Sequence, residues 1–466
     1  MASPAPSFRD PDASLVLADG RVLRAVKSEA SQAFAAMLAH PFIARLMADG
    51  RLVSTTRATL DAVPAVGVES VVYEHERIPF VSYPFEWSPT MLARAAEFTA
   101  ALCLELLEHG FQLKDATPAN VLFRGPDPVW VDVPSIVARP PGTFLWNAQD
   151  QFERCFMLPL IANREAAIPL DWSLRDPARG LDHAQLARML GARRWIKPSM
   201  FASVALPNLL HTAAQARPSA GQPTIRNDDQ ARFTLARTFG RNLKRARKLQ
   251  GKLEPTRSMW RAYTSTRTHY AEGDVAQKTA FVRDAIDAAR PTWVLDVGAN
   301  TGEFSRHAAS KGAAVVALDT DEAAVNGIFS SAGRERANIL PMVGNFASPS
   351  PALGWANRET MSFLDRAAER FDLVLLLAVI HHLRATSGIP IERICAIVAG
   401  VTRKHVLVEH VPVEDPMFQR LSRGRDHLYG DCSREAFEAI LSRQFAITRA
   451  HTLPNGRTLY LAAKRR

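Results

Sequence analysis

The C-terminal part of the chain alternates between short apolar runs and longer stretches in which apolar residues recur at helical spacing. Its first repeat has an apolar run at 293–295, a helical stretch at 303–311 and a second apolar run at 313–318. Further strands are indicated by the apolar runs at 339–343, 371–378 and 405–408. Strands that alternate with helices in this way predict an α/β domain with a parallel sheet.

The end of the chain departs from this alternation. Two stretches with strand character, 445–451 and 457–462, are joined through Pro454-Asn455-Gly456. An Asn-Gly turn between two strands is typical of an antiparallel hairpin. We therefore predict a mostly parallel sheet that ends in an antiparallel pair, unlike the all-parallel sheet of a dinucleotide-binding domain.

The N-terminal part mixes helical and strand patterns. Asp19-Gly20 lies between two apolar runs and predicts a hairpin. Residues 90–109 carry apolar side chains at helical spacing and predict a long amphipathic helix. The remaining expected elements are helical turns at 31–38 and 42–48, strands at 71–73 and 78–83, and a helical region at 144–212. Together these elements predict an α+β domain.

The two parts are separated by a polar stretch. Residues 212–230 contain two prolines and a glycine, which is typical of a linker, and a basic helix is predicted at 232–252. We therefore predict an N-terminal domain at 1–212, a linker with a basic helix at 213–262, and a C-terminal domain at 263–466.

Composition sets few limits on function. The chain has 466 residues, of which 47% are hydrophobic, so two or three folded domains are expected. The four cysteines form no CxxC pair, which argues against a zinc ribbon and fits a reducing cytoplasm. We expect no signal peptide, since the N-terminal sequence MASPAPSFRDPD has no apolar core, and no membrane span, since the longest wholly apolar run is only 373–380. The net charge of +10 permits a polyanionic partner without establishing one.

The turn after the strand at 293–295 carries the first candidate site. It has the sequence Asp-Val-Gly-Ala-Asn-Thr-Gly at 296–302. Gly298 and Gly302 allow the backbone to pass close to a ligand where a side chain would block it. Asp319 follows Gly298 after 21 residues (319 − 298), at the end of the next strand. An acid at this position can accept both hydroxyls of a ribose.

The residues of this turn distinguish between cofactors. A dinucleotide-binding turn needs a G-x-G-x-x-G pattern, but Asn300 and Glu303 occupy its second and third glycine positions. Asp296 adds a carboxylate, which favours a cationic ligand over a pyrophosphate. The stretch resembles motif I of the class I S-adenosylmethionine-dependent methyltransferases, whose ligand carries an ammonium and a sulfonium. Another α/β crossover with a glycine turn is the alternative.

The resemblance implies a Rossmann-like sheet of seven strands with S-adenosylmethionine as its cofactor. Asp319 would bind the ribose, and Asn345, after the strand at 339–343, would accept a hydrogen bond from the adenine amino group. Lys278 is a weaker candidate for lining the site, together with Tyr270. The resemblance also implies that the glycine turn binds the methionine end of the cofactor, through Asp296, Gly298, Ala299, Asn300 and Gly302.

Two histidines follow the apolar run at 371–378 and are candidates for catalysis. Ligands of such sheets bind at the carboxyl ends of the strands, where His381 and His382 are expected. An imidazole can remove the proton of a hydroxyl acceptor near neutral pH, and we expect only one of two adjacent residues to face the cleft. Glu409, at the end of the next strand, is the alternative base. The alternative to a catalytic role is that both histidines stabilise the turn at the end of the strand. No metal is predicted.

The N-terminal part contains a second motif. Asp115, Asn120 and Asp132 have a spacing that resembles the catalytic loop and metal-binding segment of protein-kinase-like phosphotransferases, in which the last two residues hold Mg²⁺. Lys27 would be the strand lysine of that family. No glycine-rich loop precedes Lys27, and Val-Pro follows Asp132. We predict a degenerate kinase-like domain, and an active phosphotransferase that makes the chain bifunctional is the alternative.

Most of the chain resembles a bacterial family of nodulation methyltransferases, the NoeA type. The similar strings are YPFEW at 83–87, KDATPAN at 114–120, PSPALGWANRE at 349–359 and VIHHL at 379–383. The family implies methyl transfer to a small-molecule or glycan-type acceptor. The alternative is an RNA methyltransferase that uses the basic helix, but no aromatic residues interleave the positive charges of its stretch 241–252, so nucleic acid is not the expected partner.

Overall fold

A computed structural model describes residues 3–7, 9–58, 70–176, 178–191, 204, 225–251 and 272–465. The chain divides into two compact units, Met1–Glu254 with Ala352–Thr360, and Pro255–Pro351 with Met361–Arg466. The boundaries predicted after residues 212 and 262, and most of the predicted linker, lie outside the described residues. Tyr270 lies outside them as well.

The first unit contains an antiparallel sheet of short strands. In sheet order these strands are β1 Ser3–Ser7, β2 Ala13–Ala18, β3 Arg21–Lys27, β5 Ser70–His75 and β4 Thr55–Arg57. The predicted hairpin between β2 and β3 is confirmed, and both Asp19 and Gly20 have the positive φ that such a turn requires. The strand predicted at 78–83 is wrong. Ile78 and Phe80 are buried, but Pro79 lacks the N–H that a ladder needs.

The rest of the first unit is mainly helical. Among the described residues its helices are α1 Ser28–Leu38, α2 Pro41–Ala48, α3 Pro89–Glu108, α4 Gln149–Phe152, α5 Leu158–Ala166, α6 Leu170–Ser173, α7 His183–Leu190 and α8 Asp228–Gln250. A π-helical turn at Glu153–Met157 joins α4 to α5. Two small ladders pair β6 Phe111–Leu113 with β9 Ile136–Ala138, and β7 Val121–Arg124 with β8 Asp127–Trp130. A sheet followed by helices and short hairpins is the α+β arrangement expected of a kinase-like region.

Helix α8 is the predicted basic helix, and it belongs to the first unit. Leu235 and Phe239 on one of its faces are buried, and the helix packs against α3. Arg245 pairs with Glu153, and Asp228 at its start accepts from Arg139 at 2.6 Å. The helix therefore contributes to a core and uses part of its charge within the unit.

The second unit is built on one twisted sheet. Among the described residues its strands, in sheet order, are β12 Ile339–Val343, β11 Ala314–Asp319, β10 Trp293–Val297, β13 Phe371–Leu376, β14 Thr402–His410, β16 Thr458–Lys464 and β15 Phe445–Thr452. The first five run parallel, whereas β16 is antiparallel to both of its neighbours. The predicted Rossmann-like sheet of seven strands with a final antiparallel hairpin is confirmed.

Helices surround this sheet and bury its central strands. In the described part of this unit they are α9 Glu272–Ala289, α10 Glu303–Ser310, α11 Glu322–Glu335, α12 Phe363–Ala367, α13 Ile380–Ala385, α14 Ile391–Val401, α15 Pro416–Ser422 and α16 Arg434–Gln444. Every residue of β13 is buried, as expected for a parallel strand that is covered on both faces. The strand order places the carboxyl ends of β10, β11 and β13 together at one edge.

In the part of the chain that the structure describes, no helix is long and apolar enough to cross a membrane. All four cysteines lie in described regions, and all are buried and free of disulfides.

Candidate active site

The glycine turn after β10 has a backbone that needs its glycines. Gly298 and Gly302 have φ values of 70° and 72°, in the left-handed region that L side chains rarely adopt. A Cβ at Gly298 would lie 2.7 Å from Cγ2 of Val379. Asn300 also has a positive φ, of 50°, which asparagine tolerates better than most residues. The backbone of this turn can therefore approach a ligand closely.

Asp319 is held in place beside this turn. Its carboxylate accepts from the backbone N–H of Asn300 at 2.7 Å and from that of Asp321 at 2.9 Å. The residue is only 8% exposed, and burial raises the pKa of its carboxyl. The side chain is thus oriented before any ligand arrives.

Asp296 is the second buried acid of the site. Its carboxylate accepts a hydrogen bond of 2.6 Å from the Ser305 hydroxyl. Burial raises the pKa of Asp296 to about 6, and the nearby Asp319 charge acts in the same direction. A cationic ligand beside the two acids would relieve their mutual repulsion.

A cavity of about 420 Å³ opens at the carboxyl ends of β10, β11, β12 and β13. Its volume lies within the range of roughly 300–1,000 Å³ that is typical of small-molecule sites. Six of the seven residues suggested for cofactor binding line it: Asp296, Gly298, Ala299, Asn300, Asp319 and Asn345. Gly302 does not line the cavity and instead precedes α10 as its N-cap.

Asn345 lies at the end of the cavity that is next to the carboxyl end of β12. Its side-chain oxygen accepts from the backbone N–H of Ala347 at 2.9 Å. A carbonyl oxygen has two lone pairs, so this hydrogen bond still allows a second donor such as an adenine amino group.

The two candidate histidines occupy different environments. Both lie in the first turn of α13 rather than at the end of β13, and their ring centroids are 4.2 Å apart. His382 lines the cavity, whereas His381 does not and is 3% exposed. Burial, followed by the charge of Arg457, lowers the pKa of His382. At neutral pH its imidazole is therefore uncharged and able to accept a proton.

Glu409 lies behind the cavity in an ion-pair network. Its side chain is fully buried, and Lys278 approaches it at 2.6 Å while Arg457 approaches its other oxygen at 3.4 Å. Arg457 also donates to Asp415 at 2.8 Å. Lys278 lines the cavity and Glu409 does not. Sequence reasoning missed Arg457 and Asp415, because no local pattern marks residues whose partners lie more than forty positions away.

The kinase-like motif is partly assembled in the first unit. Asn120 donates to Asp132 at 3.4 Å, and Asp115 accepts from Gln151 at 3.3 Å. Lys27 is exposed at the end of β3. The residue of β3 that faces Asp132 is Arg24, at 3.6 Å, and no signal in the sequence singled it out.

The fold and the site of the second unit define a class I S-adenosylmethionine-dependent methyltransferase. A family model described as a methyltransferase domain matches residues 267–416. The nodulation protein NoeA of Rhizobium meliloti (strain 1021) is 31% identical over 465 residues, which cover 97% of this chain and 94% of that protein. The chain belongs to the NoeA family, and it is an S-adenosylmethionine-dependent methyltransferase.

Two solved structures align with part of the chain. The bifunctional kinase-methyltransferase WbdD is 22% identical, and the match covers 42% of this chain and 40% of that protein with a TM-score of 0.30. The N-methyltransferase NodS from Bradyrhizobium japonicum WM9 is 12% identical, and the match covers 42% of this chain and 98% of that protein with a TM-score of 0.32.

Proposed function

We propose that the second unit transfers the methyl group of S-adenosylmethionine to a hydroxyl group of a small-molecule or glycan-type acceptor, with His382 as the base. The observation that carries this proposal is the position of His382. It is the candidate base that lines the cavity, and its pKa is lowered. A neutral imidazole beside the sheet edge can accept the proton of an alcohol.

The cofactor would occupy the part of the cavity next to β10 and β11. Asp319 would accept the ribose hydroxyls, and Asn345 would accept a hydrogen bond from the adenine amino group. The turn formed by Gly298, Ala299, Asn300 and Gly302 would pass along the methionine end of the cofactor, and Asp296 would face its ammonium group. With the cofactor placed in this way, the acceptor would bind on the side of the cavity that His382 lines.

Methyl transfer is an in-line displacement that the protein assists by positioning. The bound cofactor would supply the methyl group, which would pass to the acceptor oxygen as the carbon–sulfur bond breaks and S-adenosylhomocysteine is released. A ring nitrogen of His382 takes the hydroxyl proton. Glu409 is fully buried and does not line the cavity, so we assign it a positioning role in which it holds Lys278.

Labelled methyl transfer tests the acceptor class. The full chain is incubated with methyl-labelled S-adenosylmethionine and separate pools of neutral oligosaccharides, small hydroxylated metabolites, amines and RNA. We expect label in one of the first two pools, in an alkali-stable ether linkage. Label confined to amines or RNA would contradict the proposal.

Cofactor affinity is expected to fall as the solution is acidified through about pH 6. The pKa of Asp296 is raised by burial, so the carboxyl takes up a proton as the pH drops and loses its attraction for a cationic ligand. One linked proton weakens binding by at most about tenfold per pH unit. Calorimetry with S-adenosylhomocysteine between pH 5 and 8 measures the effect. Asp296→Asn should bind more weakly at pH 8 and show a smaller pH dependence, and a flat wild-type profile would contradict the role of Asp296.

RNA is expected to bind only weakly. Helix α8, the basic helix considered for this role, buries Leu235 and Phe239 and pairs Arg245 with Glu153. Fluorescence anisotropy with labelled RNA at about 50 and about 200 mM salt should show binding that disappears at the higher concentration. Nanomolar, sequence-dependent binding that persists there would instead support the RNA methyltransferase alternative.

We also propose that the enzyme acts in the cytoplasm. Its four cysteines are buried and free, which suits a reducing compartment. Fractionation of cells that express a tagged full chain tests this, and recovery outside the cytoplasm would overturn it.

A further inference from the structure

The first unit contains a buried arginine beside the aspartate that its kinase-like motif would use to hold a metal ion. Arg24, in the middle of β3, is 5% exposed. Its guanidinium Nη2 lies 3.6 Å from Oδ1 of Asp132, the residue that the motif would use to hold Mg²⁺. A buried charge is costly unless it has partners, so its position needs structural support.

That support comes from a chain of hydrogen bonds inside the sheet. Arg24 Nε donates to Nε2 of His75 at 3.0 Å, and Nδ1 of His75 lies 2.8 Å from the Thr55 hydroxyl. Thr55 in turn donates to the Val53 carbonyl at 3.1 Å. Since Nε2 accepts, His75 is neutral and its proton is on Nδ1. Burial and the Arg24 charge lower the pKa of His75 to about 3, so this arrangement persists at all ordinary pH values.

Asp132 is fixed equally well on its own side. Its main-chain carbonyl accepts from Trp130 Nε1 at 2.9 Å and from the Ser135 hydroxyl at 2.6 Å. One carboxylate oxygen faces Arg24, and the other accepts from the Asn120 amide at 3.4 Å. Both oxygens therefore face donors from the protein itself.

The other charged groups around Asp132 are of both signs, and the positive ones come from the protein itself. Asp10 and Asp115 contribute negative charge, and Arg24 and Lys114 contribute positive charge, with Lys114 itself 3.3 Å from Asp10 and 3.7 Å from Asp12. Mg²⁺ would need oxygen ligands at about 2.0–2.1 Å, and a guanidinium 3.6 Å from one of them would repel the ion. The residues present do not fit the metal of an active phosphotransferase.

We infer that the guanidinium of Arg24 takes the place of the divalent cation in the first unit, so that its kinase-like motif is held together without a metal. The unit then binds neither Mg²⁺ nor Mg²⁺-ATP at Asp132. This disfavours the bifunctional alternative and assigns the motif a structural role within its own unit.

The absence of a metal site at Asp132 is tested by titrating the full chain with Mn²⁺ and measuring the free ion by electron paramagnetic resonance. The wild type should show no Mn²⁺ site that depends on Asp132. The control variant Lys27→Met, which is altered at the exposed end of the same strand, should behave in the same way. Arg24→Met should bind Mn²⁺ at least about tenfold more tightly than wild type. The double variant Arg24→Met with Asp132→Asn should lose that gain. Binding of S-adenosylhomocysteine and the circular dichroism spectrum report whether each variant is folded.

Two results would overturn the inference. The first is that the wild type binds Mn²⁺, or shows a thermal shift with Mg²⁺-ATP, and that Asp132→Asn abolishes this effect. This comparison does not depend on whether Arg24→Met folds. The other is a folded Arg24→Met variant that binds Mn²⁺ no better than wild type, because the guanidinium would then not occupy the position of the cation.

Discussion

Replacing His382 by alanine is expected to slow methyl transfer by about 10²–10⁴-fold, the usual contribution of a positioned general base. His382 lines the cavity and its pKa is lowered, so in the wild type an uncharged imidazole is available at neutral pH. The affinity for S-adenosylhomocysteine should change little, since the proposed cofactor contacts come from β10, β11 and β12. Initial rates with labelled cofactor and calorimetry separate the two effects.

The controls for this experiment distinguish a base from a packing residue. His382→Gln keeps much of the volume and the hydrogen bonding of the side chain but cannot take a proton, so it should be nearly as slow as the alanine variant. His427→Ala alters an exposed histidine of the same unit and should keep full activity. Normal turnover in His382→Gln would end the assignment.

The pH profile of the wild-type rate gives a further readout. A base must be deprotonated to act, and burial lowers the pKa of His382 below its ordinary value near 6.5. The rate should therefore stay level as the pH falls from 8 and decline only below about 6.5. A decline that begins above pH 7 would indicate a different base.

Replacing Asp319 by alanine is expected to weaken the binding of S-adenosylhomocysteine by about 1.5–3 kcal/mol, or roughly ten- to 150-fold in Kd. The ribose hydroxyls would lose a charged acceptor. The turn would also lose an anchor, because Asp319 accepts from the backbone N–H groups of Asn300 and Asp321. Calorimetry on the full chain measures both affinity and stoichiometry.

Asp319→Asn provides the graded comparison, since an amide oxygen accepts a hydrogen bond without a charge and should bind with intermediate affinity. Asp284→Ala, at an exposed position of α9, should bind like the wild type. Unchanged affinity in Asp319→Ala would remove this residue from the site. Tight binding of NADH in the wild type would contradict the placement of the cofactor itself.

Much of the second unit could be predicted because its strands are buried on both faces. Such strands have nearly continuous apolar sequences, and the predicted strand at 339–343 coincides with β12. Prediction was weaker in the first unit, where an apolar sequence can also arise from loops that are covered by other elements. The strand predicted at 78–83 failed for this reason, with Pro79 preventing a regular ladder.

The candidate site shows the same division between local and distant information. The residues from Asp296 to Gly302 are neighbours in the chain, so their turn was visible in the sequence. The pairing of Lys278 with Glu409 joins residues 131 positions apart, and only the folded sheet brings them together. In the first unit, Lys27 matched a local string, whereas Arg24 is recognised as the partner of Asp132 only once β3 is in place.

The network behind the cavity restricts how this enzyme can change during evolution. Lys278 and Arg457 supply two positive charges, and Glu409 and Asp415 supply two negative charges, within a region that is largely closed to water. Loss of any single member leaves an unbalanced charge in a medium that solvates it poorly, which typically costs about 3–5 kcal/mol. Substitutions here should therefore survive in relatives only as compensating pairs, and new acceptor specificities should arise more readily from the open side of the cavity around Thr386 and Ser387.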